Sequence, residues 1–183
     1  SYQEQFMKNA LHLNTGTDSS GRPIFSEVAQ LAGVHDTDWS WGSVLADFDL
    51  DGDNDIIIAN GYARNITEMD FIAYQENQNF FSGSFNTPEY RAAISESPAI
   101  VLSNYSFRNE GNLQFSEVTN QWGLAGENLS NGIAYGDLDL DGDLDLVINH
   151  INQPASIYEN TSQRDSAHYL KVYASTPAGI PVL

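Results

Sequence analysis

The chain has 183 residues, 41% of them hydrophobic and 11% aromatic, the composition of a folded chain of one or two domains and not of a disordered one. Its 25 acidic against 7 basic side chains give a formal charge of −18, a field that disfavours nucleic acid and anionic membrane surfaces as partners. There is no cysteine, so disulfides and thiolate chemistry are excluded, and packing or bound metal must hold the fold.

The chain starts polar and then alternates, with Met7, Leu11 and Leu13 as apolar anchors, which predicts a strand at about residues 7–13 and a turn at Asn14-Thr15-Gly16. Gly21 and Pro23 prolong the loop, and Phe25-Ser26-Glu27-Val28 reads as a short alternating strand ending near Leu31-Ala32-Gly33-Val34. The β-branched and aromatic run Trp39-Ser40-Trp41-Gly42-Ser43-Val44-Leu45-Ala46 predicts a further strand, with Trp39 and Trp41 on one face.

Asp47-Phe48-Asp49-Leu50-Asp51-Gly52-Asp53-Asn54-Asp55 then places five carboxylates within nine residues around one glycine and runs into the strand Ile56-Ile57-Ile58-Ala59. So many like charges repel, and a hard cation taking about 6–8 oxygen ligands relieves that repulsion. Asp47, Asp49, Asp51 and Asp55 are the candidate side-chain ligands, Asp53 offers its main-chain carbonyl, and Gly52 permits the sharp turn. An EF-hand is excluded, because loop position 12 is Ile58 instead of a bidentate glutamate and the flanks read as strands instead of helices.

Residues 62–97 break the β pattern. Thr67-Glu68-Met69-Asp70 has the form of a capping box, and Thr87-Pro88 opens a second short helix that ends near Ser95. The aromatic residues of this insertion are expected to pack it onto the sheet below. Ala99-Ile100-Val101-Leu102 and Tyr105-Ser106-Phe107-Arg108-Asn109 resume β structure, and Gly111 turns the chain into a strand at Phe115.

A second acidic loop follows: Asp137, Asp139, Asp141, Asp143 and Asp145 around Gly142, running into Leu146-Val147-Ile148. A shift of 90 positions carries Asp47 onto Asp137 without a gap. It also carries Phe25-Ser26-Glu27-Val28 onto Phe115-Ser116-Glu117-Val118, Gly33 onto Gly123, Ser40 onto Ser130 and Gly42 onto Gly132. Ile157-Tyr158-Glu159-Asn160-Thr161 resembles the start of a third copy, and Tyr169-Leu170-Lys171-Val172-Tyr173 gives one more alternating strand.

These residues resemble the FG-GAP or VCBS-type repeat, whose Asp-x-Asp-x-Asp-Gly-x-x-Asp loop binds calcium at a hairpin of propeller blades like those of integrin α-subunits. Leu13-Asn14-Thr15-Gly16, Thr37-Asp38-Trp39-Ser40-Trp41 and Asn60-Gly61-Tyr62 are similar to the VCBS-repeat surface proteins of Bacteroidetes related to cartilage acidic protein. The resemblance implies an all-β fold: a partial β-propeller over residues 1–160 with the helical insertion at 62–97, then a linker and the first strand of a UnbV/ASPIC-like domain at 161–183. It implies two calcium ions, held by Asp47, Asp49, Asp51, Asp53 and Asp55 and by Asp137, Asp139, Asp141, Asp143 and Asp145. A propeller closes with typically 4–8 blades, so the chain is expected to be a piece of a longer protein or to have its edges covered by another chain.

The functional expectation is a calcium-stabilised extracytoplasmic module without catalysis of its own, secreted or at a bacterial outer-membrane surface. Its expected partners are a cell-surface protein or glycan, or an outer-membrane complex. The alternative is a glycan-binding or glycan-degrading propeller. Trp39, Trp41 and Trp122 would stack on sugar rings in the first case, and two carboxylates about 5–10 Å apart would be needed in the second. No spacing singles out such a pair, and His12, His35, His150 and His168 suit surface or packing roles better than catalysis. No apolar run is long enough to span a bilayer.

Overall fold

The structure is a computed structural model and describes residues 8–61, 102–151 and 153–162. The expected helical insertion at 62–97 and the strand Tyr169–Tyr173 lie outside the described residues. The described chain is mostly β-sheet. Its strands are β1 (His12–Thr17), β2 (Pro23–Glu27), β3 (Ser40–Ala46), β4 (Asp55–Asn60), β5 (Leu102–Ser103), β6 (Tyr105–Asn109), β7 (Phe115–Glu117), β8 (Glu127–Asn128), β9 (Ser130–Gly136), β10 (Asp145–His150) and β11 (Gln153–Tyr158). One short helix, α1, spans Ala29–Ala32.

All pairings between strands are antiparallel. β3-β4-β6-β7 form a four-stranded sheet, β9-β10-β11 a three-stranded one, and β1-β2 and β5-β8 two-stranded ribbons. The β3–β4 and β9–β10 hairpins share register position for position at the 90-residue shift: Ser43↔Ile58 matches Ile133↔Ile148, and Ala46↔Asp55 matches Gly136↔Asp145. Even the bulge recurs, with Trp41 and Asn131 each skipped in the pairing. Such a bulge lets one extra residue twist the strand without losing the ladder beyond it.

β4 sits inside its sheet and is buried along its whole length, which is why it reads Ile56-Ile57-Ile58-Ala59 with no polar alternation. Ile57 faces Ala46, Phe48, Leu124, Leu146 and Ile148 in a core shared by the two larger sheets. Ile56 and Ile58 face the other way, onto Ala29, Ala32, Val34 and Phe107. Burying each isoleucine contributes on the order of 2–3 kcal/mol. The core therefore clamps β4 from both sides and fixes where the loop before it stands.

Two local expectations are corrected. The turn predicted at Asn14-Thr15-Gly16 is part of β1, which absorbs it as a bulge between Asn14 and Gly16, with Gly16 at φ 121. The chain reverses later, where Asp18 Oδ1 accepts the Ser20 and Arg22 backbone N–H groups at 2.8 and 3.0 Å. Residues after Glu27 do not stay extended: Ala29–Ala32 close one helical turn, ended by Gly33 in the left-handed conformation at φ 77. Trp122 N–H to Val118 O at 2.9 Å repeats the Ala32 to Val28 bond at 2.8 Å one unit later.

Candidate metal centres

Each acidic loop joins the two strands of a matched hairpin, β3–β4 or β9–β10. The loop backbones follow the same course: Leu50 and Leu140 take φ values of 59 and 68°, and Gly52 and Gly142 take 97 and 105°. A leucine in the left-handed region is strained, so the surrounding loop must impose it twice.

The first loop brings Asp47, Asp49 and Asp55 together, and the second brings Asp137, Asp139 and Asp145, each residue offering an oxygen within 4.8 Å of the others. The side chains of Asp51, Asp53, Asp141 and Asp143, also expected among the ligands, lie outside these two groups, a grouping of side-chain oxygens that does not bear on the main-chain carbonyl expected of Asp53. Asp51 Oδ1 accepts the Asp53 N–H at 2.9 Å, and Asp141 Oδ1 accepts the Asp143 N–H at 3.2 Å, so both brace the loop. Asp53 is exposed, whereas Asp143 is 2% exposed.

The loops differ in how their carboxylates are satisfied. Asp47 turns both oxygens onto loop amides, Asp51 N–H at 3.0 Å and Gly52 N–H at 2.9 Å. In the second loop Asp137 Oδ1 and both oxygens of Asp143 are buried without a hydrogen-bond donor. Burying an anion without a donor is costly, and a cation is the partner that acidic oxygens without N–H neighbours fit. Burial, reinforced by Asp141, Asp145 and Asp139, pushes Asp143 up to about 6, and burial also raises Asp139.

Asp55 and Asp145, the ninth residues of the loops, tie the site to the sheet. Asp55 is fully buried; its Oδ2 accepts the Phe48 N–H at 3.0 Å and its Oδ1 the Asn109 N–H at 2.9 Å. Asp145 repeats both bonds with Leu138 at 2.7 Å and Asn160 at 2.9 Å. Burial, with Asp49 and Asp51 adding like charge, lifts Asp55 to about 6 against the two N–H donors that pull it down.

Asn109 and Asn160 belong to the framework of the loops, and the loop motif alone does not reveal them. Asn109 Nδ2 donates to Asn54 O at 3.0 Å, and Asn160 Nδ2 donates to Leu144 O at 3.2 Å, the eighth carbonyl of each loop. Each side-chain oxygen also closes an Asx turn, on Gly111 N–H at 2.9 Å and Ser162 N–H at 3.0 Å. Asn14 makes the same turn with Gly16 at 2.9 Å. The signal legible beforehand was Asn-x-Gly or Asn-x-Ser recurring after a strand. Asn160 reaches further, donating to Phe48 O of the first loop at 2.7 Å.

The opposite ends of the hairpins are polar and buried. Asn60 donates its N–H to Asn104 Oδ1 at 3.0 Å and its Nδ2 to Ser103 O at 3.1 Å. Its counterpart His150 lies between Ser130 Oγ at 3.2 Å and Ser156 Oγ at 2.8 Å. That position holds strands together, as the packing role expected of His150 implies. Trp39 and Trp41 lie with ring centroids 6.5 Å apart; Trp41 is 52% exposed, while Trp122 packs on Phe48 at 6.4 Å. Among the described residues no helix is long and apolar enough to cross a membrane. Compared with known proteins, the chain matches no family model, and no curated sequence aligns with it significantly.

Proposed function

We propose that the chain is a calcium-stabilised, extracytoplasmic binding or scaffold module, built from β-propeller blades of the FG-GAP/VCBS kind and belonging to a larger cell-surface protein or complex. The observation that carries this reading is the pair of matched hairpins, each ending in three carboxylates whose oxygens converge within 4.8 Å. An all-oxygen, highly acidic and irregular donor set suits calcium better than magnesium, which demands near-octahedral geometry and keeps its waters. The donor-free oxygen of Asp137 fits the same ion.

Calcium bound there would neutralise the clustered carboxylates and lock the turn. The chain supplies the rest: Asp55 and Asp145 hold the end of each loop to its sheet, while Asp51 and Asp141 brace the backbone between. Folding and cation binding are therefore linked, and the millimolar calcium found outside the cytoplasm suits loops of this class. Calorimetric titration of the metal-free chain is expected to show two calcium sites. At a free concentration 100 times Kd, calcium adds about 2.7 kcal/mol of stability per site. A melting temperature unchanged between calcium and excess chelator would sink the reading.

Glycan binding is the second reading, favoured by one observation, the half-exposed Trp41 beside Trp39. A glycan array probed with the calcium-loaded chain and its Trp41→Ala variant separates the two. Binding that depends on Trp41 supports the lectin-like role.

A further inference from the structure

Among the described residues the packing of one sheet on the next occurs once, and it shows what a second occurrence requires. Ile133, Leu146 and Ile148 of the second sheet share a core with Val44, Ala46 and Ile57 of the first. At the 90-residue shift, the matching face of the first sheet is Ser43, Ile56 and Ile58. Ala29, Ala32 and Val34 cover Ile56 and Ile58, as Trp122 and Leu124 cover Leu146 and Ile148. Among the described residues, however, no strand pair plays the part of Val44 and Ile57 on that face. A cavity of about 230 Å³ stands there, lined by Leu11, Val34, Trp41, Leu45, Ile56 and Ile58, with Trp41 52% and Leu45 47% exposed.

The β1–β2 ribbon points to the same place. It matches β6–β7 pair for pair: His12↔Glu27 with Phe107↔Glu117, and Asn14↔Phe25 with Asn109↔Phe115. Leu11 O accepts the Val28 N–H at 2.8 Å, as Ser106 O accepts the Val118 N–H at 2.8 Å. Yet β6 also pairs with β4, whereas β1 pairs with β2 alone among the described residues. Asn109 and Asn160 each donate their backbone N–H to a loop aspartate. Asn14, which closes the same Asx turn, is exposed, and no described aspartate reaches it.

We infer that the edge of β1 that no described strand covers and the cavity beside Trp41 receive a further β-hairpin of the Ser40–Asn60 kind, two strands joined by an acidic loop. Its last aspartate takes the Asn14 N–H, its eighth carbonyl takes the Asn14 carboxamide, and its alternate apolar side chains fill the cavity. A second copy of this chain does not fit the role, because both of its hairpins are already engaged by their own Asn109 and Asn160. The inference rests on the hairpin packing within the proposed function and not on the metal.

The test is the full chain extended at Ser1 by a copy of residues 40–60, with residues 1–9 as the connection back to β1. Docking is expected to raise the melting temperature and to reduce acrylamide quenching of tryptophan by as much as the Trp41→Phe substitution removes from the unextended chain. Asn14→Ala, or replacing the copied loop's last aspartate by alanine, should abolish both gains, and a strand-scrambled extension should give neither. Equal quenching and melting for the native and scrambled extensions overturns the inference. So does sedimentation of the unextended chain as a dimer with Trp41 shielded, which assigns the face to self-association. Running every arm in calcium and in chelator keeps the two readings apart. A docking gain without any calcium effect rejects the metal and not the hairpin, and a calcium effect without a docking gain does the reverse.

Discussion

Replacing Asp55 by alanine and by asparagine separates its role as a hydrogen-bond acceptor from its role as a charge. The carboxylate is fully buried and accepts the Phe48 and Asn109 N–H groups at 3.0 and 2.9 Å. Burial nonetheless lifts it from 3.8 to about 6, so at neutral pH without metal its charge opposes folding. A rise of that size corresponds to at most about 3 kcal/mol, and to less as solvent screens the charge. Asp55→Asn removes the charge and keeps one acceptor for the two donors. Asp55→Ala removes both acceptors, and each buried donor left without a partner costs about 1–3 kcal/mol. In excess chelator at pH 7, urea denaturation should therefore rank Asp55→Asn as the most stable of the three proteins, with Asp55→Ala about 1–3 kcal/mol below it. In saturating calcium the wild type should overtake both, because each variant has lost a ligand oxygen. Equal stability of the two variants in chelator would refute the role given to the Phe48 and Asn109 bonds. A wild type more stable than Asp55→Asn in chelator would refute the cost assigned to the buried charge.

Asp139→Ala removes one of the three converging carboxylates of the second loop, and calorimetric titration should then find one calcium site where the wild type has two. The pH response should reverse sign with metal. Asp55 and Asp143 sit near 6 when folded against 3.8 when unfolded, so the folded chain binds extra protons between those values. Thermal melts in chelator should accordingly show stability rising as pH falls through that window, and melts in calcium should show it falling as protons displace the ion. Glu27 and Glu110, held low by the Ala29 N–H and by Arg108, act in the opposite sense only as pH falls below the ordinary glutamate value of 4.5. Gly61→Ala places a Cβ 2.6 Å from Leu129 Cα at a φ of 152°, and overpacking of this kind should cost about 1–3 kcal/mol in urea denaturation.

The hairpins were legible because two signals coincide in them: the acidic loop fixes a turn, and the flanking apolar runs fix strands. The 90-residue shift maps β3 and β4 onto β9 and β10, since identical positions such as Gly42 and Gly132 need the same backbone. What stayed hidden depends on contacts between segments remote in sequence. Of the five carboxylates per loop, which three converge follows from the folded course of the loop between its strands, and not from their spacing. The part played by Asn109 needed the fold, because its partner Asp55 stands 54 residues away. The α1 turn is four residues long, too short to show helical periodicity, and the two-residue β5–β8 pairing carries no pattern at all. Asn14-Thr15-Gly16 misled for a local reason: a glycine that permits a turn also permits a bulge.

The Asn160 carboxamide holds Leu144 O of its own loop at 3.2 Å and Phe48 O of the neighbouring loop at 2.7 Å. One rigid group is thus riveted to two loops, and neither can shift by an ångström without stretching a bond to the other. The carboxamide therefore sets the spacing between the two hairpin tips, a distance that neither acidic loop determines by itself.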